Sequence, residues 1–221
     1  MKDKPILSFS SVTLKKIRKY FDVKVKYTKT PFNEWFSYEY IIPKEEKKRL
    51  DELIEIHQLK LTAYKEEKLK AKFIIPVLNL VRFFTDELDD WYETEIQAEF
   101  DHVILKGITD YLVATGSDDP EIPFFYLQEF KYSYPDKDPK YQLLAEMIAA
   151  TAINPSDTMK GCFVVGALWY FTLLKKVEGK YEYYISSGYK ALAPKELYQI
   201  FTYLQAVKAE ALAVLEADSN K

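Results

Sequence analysis

Two neighbouring apolar segments, residues 103–114 and 124–132, are predicted to form consecutive strands, and both carry charged side chains. Asp110 lies in the first segment, and Glu129 and Lys131 lie in the second. Because residues two apart in a strand face the same side, Glu129 and Lys131 project together. If the two strands pair, Asp110 reaches the same position. The pattern therefore predicts two carboxylates and an ammonium that converge at the ends of strands.

Such a convergence suits phosphodiester hydrolysis, because two carboxylates can hold Mg²⁺ and the ion can activate a water molecule. The Glu-x-Lys tripeptide is common in charged proteins, however, and other copies in this chain begin at Glu45, Glu46, Glu66 and Glu178. The copy at Glu129 differs because it follows the apolar run of residues 124–127. A purely structural ion pair at a sheet edge is the alternative interpretation.

The composition is that of one globular domain. The chain has 221 residues and a mass of 26.0 kDa, which is enough to bury a full core. Its longest apolar run, residues 162–171, is too short to span a bilayer, and residues 1–11 lack the apolar core of a signal peptide. Cys162 is the single cysteine, which excludes an internal disulfide framework and a cysteine-based zinc site. We therefore expect a cytoplasmic protein without a membrane segment, in which Cys162 is a small buried residue of a strand.

Charge is unevenly distributed along the chain. The net charge is −3, but residues 1–30 carry nine Lys or Arg against two acids, a local charge of +7 that leaves −10 on the remainder. A basic arm on an acidic body is compatible with contacts to nucleic-acid phosphates. A solvated basic surface is an equally good interpretation.

Hydrophobic periodicity predicts an α/β fold with a mixed sheet. Helices are expected after Pro43, from Thr62 through residue 80 with local opening at Pro76, over residues 138–151, and after Pro194. Gly107 is expected at a bend or bulge, and residues 116–123 are expected to form a loop. The predicted strands cover residues 22–28, 34–42, 91–100, 103–114, 124–132, 162–165, 169–174 and 181–185.

The ordered motifs resemble the PD-(D/E)XK, or restriction endonuclease-like, nuclease superfamily. The chain is most similar to the nuclease domain of type I restriction motor subunits and to related uncharacterised bacterial proteins. In residues 107–111 (GITDY) a threonine replaces the proline of the superfamily's name. The similarity covers residues 62–215, and its motifs are EEKLKAKFIIPVL (66–78), GITDY (107–111), QEFK (128–131), YQLLAEM (141–147) and GALWYF (166–171).

The resemblance implies a fold and a domain organisation. Residues 61–221 would form a restriction endonuclease-like core, with a mixed central β-sheet flanked by helices. Residues 1–60 would be an N-terminal decoration of strands plus a helix, within one compact domain.

The resemblance also implies an Mg²⁺-dependent deoxyribonuclease in which Mn²⁺ can substitute. Asp110 and Glu129, with the backbone carbonyl of Phe130, would bind the metal ion, and Lys131 would position the attacking water or neutralise developing charge. Gln142 would orient Lys131 or contact the nucleic-acid backbone. A helix carboxylate would bind or tune the metal ion through a water molecule, and it is assigned to Glu66 or, as a second choice, Glu67.

The implied partners are DNA and either a second copy of the chain or subunits of a restriction or defence system. The alternative function is a nuclease-fold module that binds nucleic acid or a protein partner without cleavage. His57 and His102 lack the spacing of a zinc site, and no Gly-rich phosphate loop indicates an ATP-driven motor.

Overall fold

The structure, a computed structural model, describes residues 4–133 and 138–219. Its described strands form one mixed sheet that is flanked by helices, which confirms the predicted α/β class. The strands are β1 (Ile6–Ser8), β2 (Val23–Lys26), β3 (Asp89–Glu99), β4 (Ile104–Thr115), β5 (Glu121–Lys131), β6 (Thr158–Val165), β7 (Leu168–Val177), β8 (Lys180–Ile185) and β9 (Tyr189–Lys190).

The sheet has the strand order β1-β4-β5-β6-β7-β8-β2, with β3 also paired to β4 and β9 also paired to β7. The pairs β1–β4, β5–β6 and β2–β8 are parallel, and the other pairs are antiparallel. The helices are α1 (Leu14–Arg18), α2 (Asn33–Phe36), α3 (Lys44–His57), α4 (Glu66–Leu69), α5 (Ile75–Val81), α6 (Pro139–Ile153) and α7 (Pro194–Ser219), with a π turn (Lys70–Ile74) between α4 and α5.

Each face of the sheet carries its own hydrophobic core. Along β6, Cys162 and Val164 belong to the core shared with α3, α5 and α7, whereas Phe163 and Val165 belong to the core shared with α1 and α6. This alternation is expected of a central strand that is covered on both sides. Cys162 is fully buried, as predicted. Within the described ranges, no helix combines the length and the apolar character needed to cross a bilayer.

The N-terminal part of the chain contributes two strands to the sheet. β1 pairs with β4, β2 pairs with β8 at the opposite edge, and Phe9 and Ile17 are buried in the α6 core. The strand predicted over residues 22–28 is confirmed by β2, and the helix predicted after Pro43 is confirmed by α3.

The strand predicted over residues 34–42 is wrong, because those residues begin with α2 and then follow an irregular path. Their aromatic side chains pack on α7. The Trp35 indole donates to the carbonyl of Tyr203 at 2.8 Å, and the Phe36 ring stacks on the Tyr203 ring at 4.0 Å. Aromatic residues favour strands only where they pack on a pleated surface, and here a helix supplies the packing surface.

Pro76 opens the helix that carries the candidate site. The helix begins at Glu66 rather than near Thr62, and the π turn lies directly before α5. Pro76 has no N–H to donate, and its ring disfavours the α-helical position of the carbonyl of Lys72. The amide of Ile75 instead donates to the carbonyl of Lys70, five residues back. The predicted local opening is confirmed.

Gly107 is not at a bulge, contrary to the prediction, because it pairs in regular register with Ile96 of β3. It allows close approach instead. A Cβ atom at position 107 would lie 2.6 to 2.9 Å from the Cδ2, Cγ and Cβ atoms of Phe9. β5 also begins at Glu121, inside the predicted loop of residues 116–123.

Gly107→Ala is expected to destabilise the protein by about 1–3 kcal/mol, because the new methyl group comes too close to the Cβ, Cγ and Cδ2 atoms of Phe9. Urea unfolding of the variant and the wild type measures the difference. Phe9→Ala removes Cδ2 and Cγ, the two closest of these atoms, so Gly107→Ala is expected to cost less stability in a Phe9→Ala background than in the wild type. A strictly additive double variant would contradict this explanation.

Candidate active site

The carboxylate of Asp110 lies where the pairing of β4 with β5 ends. The last paired residues on this side are Tyr111 and Gln128. Beyond them the amide of Phe130 donates to Asp110 Oδ2 at 2.8 Å. In a regular sheet the amide of Phe130 would donate to a backbone carbonyl of the neighbouring strand. Here the Asp110 side chain accepts that hydrogen bond, so its carboxylate lies beside the end of β5.

A switch of sheet face in β4 places Asp110 there. The hydroxyl of Thr109 donates to Glu146 on α6 at 3.1 Å, whereas Tyr111 is buried in the opposite core. Residues two apart in a regular strand would share a face, so the alternation breaks at Asp110. Glu93, which lies opposite on β3, has a positive φ of 49°. Both strands are thus irregular at the level of the predicted metal ligand.

The ammonium of Lys131 lies among the oxygen atoms that were predicted to bind a metal ion. Its Nζ is 2.5 Å from Glu129 Oε1 and 2.9 Å from the carbonyl oxygen of Phe130. It is 3.5 Å from Glu66 Oε1 and 3.9 Å from Asp110 Oδ2. The structure therefore places the predicted carboxylates and the predicted carbonyl around the ammonium of the predicted lysine.

The helix contributes a second ammonium that the sequence analysis missed. Lys70 Nζ contacts Asp110 Oδ1 at 2.9 Å and lies 3.8 Å from Glu66 and 3.9 Å from Glu67. Glu67 is 84% exposed, so Glu66, at 29%, is the helix carboxylate that belongs to the site. Lys70 follows Glu66 by four residues, and this spacing on a helix was the signal that it shares the same face.

α6 contributes Gln142 and Glu146. Gln142 Nε2 donates to Glu129 Oε2 at 2.8 Å, so this side chain orients Glu129. The prediction gave it Lys131 or the nucleic-acid backbone as its partner. Glu146, one turn later, is fully buried, and its Oε1 has no hydrogen-bond partner among the described residues. Glu146 was not predicted from the sequence, although a carboxylate within the apolar face of a predicted helix was a usable signal.

The buried carboxyls repel one another. Burial raises the pKa of Glu129 well above its usual range, and Glu146 and Asp110 raise it further, against the opposing effect of Lys131. Burial and the charge of Asp110 raise the pKa of Glu146 to about 8, although hydrogen bonding by Thr109 lowers it. Burial acts to lower the pKa of Lys131, but Glu129, Asp110 and Glu66 together outweigh it and the pKa is raised. The upward direction prevails for Glu129 because its carboxyl is fully buried and lies near the carboxyls of Glu146 and Asp110.

The donor atoms of this site fit a hard divalent cation. Carboxylate and carbonyl oxygens are the ligands that Mg²⁺ and Mn²⁺ prefer. Among the described residues, no three acidic, histidine or cysteine side chains form a ready-made metal site. The ammonium of Lys131 instead occupies the point where Glu129 and the Phe130 carbonyl converge, and the buried Glu146 oxygen lacks a partner. These oxygen atoms already surround the Lys131 ammonium, which is a cation. Their chemistry therefore suits a metal ion once the lysine side chains move away.

The site is exposed to solvent on one side. Its outer side chains range from 13% exposed at Lys70 to 29% at Glu66, whereas Glu129 and Glu146 are fully buried. A cavity of about 430 Å³ lies elsewhere, between Trp35, Lys160 and Glu210, and none of its lining residues belongs to the site. A charged site that is exposed on one side and lies outside this cavity suits a group that projects from a large molecule better than it suits an enclosed small ligand.

No protein-family model matches this chain, and no curated protein matches its sequence. The function proposed below therefore rests on the geometry and chemistry of the described residues.

Proposed function

We propose that this protein is an Mg²⁺-dependent nuclease of the restriction endonuclease-like fold that hydrolyses DNA phosphodiester bonds. One observation carries the proposal. The Lys131 ammonium lies within 4 Å of two carboxylates from neighbouring strands, a helix carboxylate and the Phe130 carbonyl. Phosphoryl chemistry needs oxygen ligands for a metal ion and a cation near the attacked phosphate, and this cluster supplies both.

The order of elements supports the proposed fold. A helix carrying Glu66 precedes the antiparallel strands β3, β4 and β5, which are followed by α6 and then by β6 parallel to β5. The superfamily described above has the same order of helix, three-strand meander, helix and strand. Asp110 lies on the middle strand of this meander, and Glu129 and Lys131 lie on its last strand.

Asp110 and Glu129, with the carbonyl of Phe130, would hold the metal ion. When bound, such an ion lowers the pKa of a water molecule and stabilises charge on the attacked phosphate. Gln142 fixes one oxygen of Glu129 and thereby leaves the other oxygen directed toward the cation. Glu66 lies at the outer side of the cluster, where it can tune the charge at the metal.

Lys131 acts as a cation rather than as a base. Without a metal ion the surrounding carboxylates raise its pKa, so the amine is protonated at neutral pH. Its function in the proposed reaction is to neutralise the charge that develops on the phosphate.

A nuclease-fold module that binds without cleavage is the second candidate. It is favoured by the pairing of the two strand carboxylates with ammonium groups, since Asp110 contacts Lys70 and Glu129 contacts Lys131. Such a network is also what a purely structural cluster requires. Measurement of cleavage separates the two candidates.

The deciding experiment incubates the pure protein with supercoiled plasmid, single-stranded DNA and RNA in Mg²⁺, Mn²⁺ or EDTA. We expect cleavage of DNA in the presence of either metal ion and none in EDTA. Lys131→Ala, prepared in parallel, is expected to be inactive. Equal cutting by both preparations would identify a contaminant, and DNA binding without cleavage would favour the binding module.

A further inference from the structure

Lys70 has no role in the resemblance described above, yet it makes the closest side-chain contact with Asp110. We propose that Lys70 is a phosphate-binding residue which, without nucleic acid, occupies the Asp110 oxygen that a metal ion needs. The inference rests on the proposed metal-dependent function. It assigns to this lysine an exchange of partners, from the Asp110 carboxylate to a phosphate of the nucleic acid.

The two oxygens of Asp110 are not equivalent. Oδ2 accepts the backbone amide of Phe130 at 2.8 Å and is therefore committed to the end of β5. Oδ1 is paired with the Lys70 ammonium at 2.9 Å. Oδ1 is the Asp110 oxygen that accepts no backbone amide, so a divalent ion that binds Oδ1 leaves the contact with β5 intact and displaces Lys70.

Lys70 depends on Asp110 more than Lys131 does. Lys131 has its close contacts with Glu129 at 2.5 Å and the Phe130 carbonyl at 2.9 Å, which it would lose to a metal ion held by those oxygens, and it lies 3.9 Å from Asp110. Lys70 has one close oxygen, and its other carboxylate contacts are at 3.8 and 3.9 Å. An ammonium released beside a bound metal ion is placed to pair with the phosphate that the same ion attracts. Charge-assisted contacts of this kind are strong, and lysine binds phosphate as a compact point charge.

The π turn directs Lys70 into this position. It begins at Lys70, and Pro76 causes it by removing a helical donor. The Lys70 ammonium lies 5.7 Å from the centre of the Phe130 ring, and its side chain is 13% exposed. Lys68 and Lys72 on the same helix are exposed. A π turn inserted into a helix is often found at functional sites, where it re-aims a side chain.

The test uses Lys70→Met, which retains the length of the side chain and its packing on Phe130. Calorimetric titration with Mn²⁺, without nucleic acid, is expected to show about tenfold tighter binding than in the wild type, because no ammonium competes for Asp110 Oδ1. Anisotropy of a labelled DNA duplex is then measured in Ca²⁺ and in EDTA. In Ca²⁺ the variant is expected to bind DNA more weakly, with a log–log salt slope smaller by about 0.9. In EDTA the two proteins are expected to bind DNA alike.

Two further variants serve as controls. Lys72→Met removes the same charge from an exposed position on the same turn and is expected to bind Mn²⁺ as the wild type does. Lys70→Arg retains the charge and is expected to stay near the wild-type Mn²⁺ affinity. Unchanged Mn²⁺ affinity in Lys70→Met, or equal loss of DNA binding in Ca²⁺ and EDTA, would overturn the proposal.

The two proposals fail separately. A wild-type protein that binds Mn²⁺ and DNA but does not cleave DNA would end the nuclease proposal, whereas the Lys70 measurements would still decide its role. A wild-type protein that binds neither Mn²⁺ nor DNA would overturn both.

Discussion

Asp110→Asn is expected to lower Mg²⁺-dependent DNA cleavage on the order of 1000-fold, which corresponds to about 4 kcal/mol of transition-state stabilisation. Asparagine is nearly isosteric with aspartate but carries no negative charge for a divalent ion. Initial cleavage rates of the variant and the wild type on plasmid DNA, over a range of Mg²⁺ concentrations, measure the loss.

The Asp110→Asn variant is expected to fold. The asparagine carbonyl can still accept the amide of Phe130, so the contact with the end of β5 is retained. Removal of the Asp110 charge also relieves repulsion, because that charge raises the pKa values of Glu129 and Glu146. Loss of the ion pair with Lys70 opposes this relief, because the asparagine NH2 group then faces the Lys70 ammonium, so we expect a folded variant with a melting temperature within a few degrees of the wild type.

Glu95→Gln is the matched control. Glu95 lies on the adjacent strand β3, is 58% exposed and pairs with Lys106, which is not part of the site. Its loss of one negative charge is expected to leave cleavage unchanged. If Asp110→Asn retained more than about a tenth of wild-type cleavage, a rate ratio that corresponds to only ~1.4 kcal/mol, Asp110 would not be a metal ligand.

The strands of the candidate site could be predicted because their signals are local. Alternation and the apolar runs predicted β4 and β5, and the two-residue period placed Glu129 and Lys131 together. The position of Asp110 depended on a switch of face in β4 opposite a positive φ at Glu93. No local sequence pattern indicated that switch of face. It depends on the packing of Tyr111 into one core and on the hydrogen bond from Thr109 to Glu146 of α6.

The residues that the sequence analysis missed, Lys70 and Glu146, have ambiguous local signals. A lysine in a charged helix is usually solvated, and only the contact with Asp110 distinguishes Lys70 from its neighbours. A glutamate in an apolar helix face is informative only once the partner on the sheet is known, and for Glu146 that partner is Thr109. The strand predicted over residues 34–42 was wrong for a related reason, because α7 rather than a neighbouring strand supplied the packing surface for their aromatic side chains.

Glu146 gives the second large expected effect, a loss of stability as the pH rises in the absence of metal ions. Burial and the charge of Asp110 raise its pKa to about 8 in the folded protein, compared with the usual 4.5. Below both values the carboxyl is protonated in the folded and the unfolded chain, so the folded state bears no charge penalty. Between them only the folded protein holds the proton, so its stability falls as the pH rises.

The predicted loss of folding free energy is complete above about pH 8 and is on the order of 5 kcal/mol. At that pH the unfolded chain has released the proton of Glu146, and the folded chain must bury the charged carboxylate. Glu146→Gln cannot ionise, and its amide oxygen can still accept the hydroxyl of Thr109. Near pH 5 the variant is therefore expected to be about as stable as the wild type. Near pH 9 it is expected to melt higher, on the order of 10 °C.

Thermal unfolding of both proteins in EDTA from about pH 5 to about pH 9 measures the effect. Because Glu146 raises the pKa of Glu129, the difference between the two curves reports position 146 together with its coupling to Glu129. Glu95→Gln, an exposed carboxylate on β3, is expected to follow the wild type throughout. A Glu146→Gln curve parallel to that of the wild type would mean that Glu146 is ionised in the folded protein across this range. The unpartnered Glu146 oxygen would then have to face a cation even in EDTA, and Lys131 is the nearest candidate because its charge already lowers the pKa of Glu146.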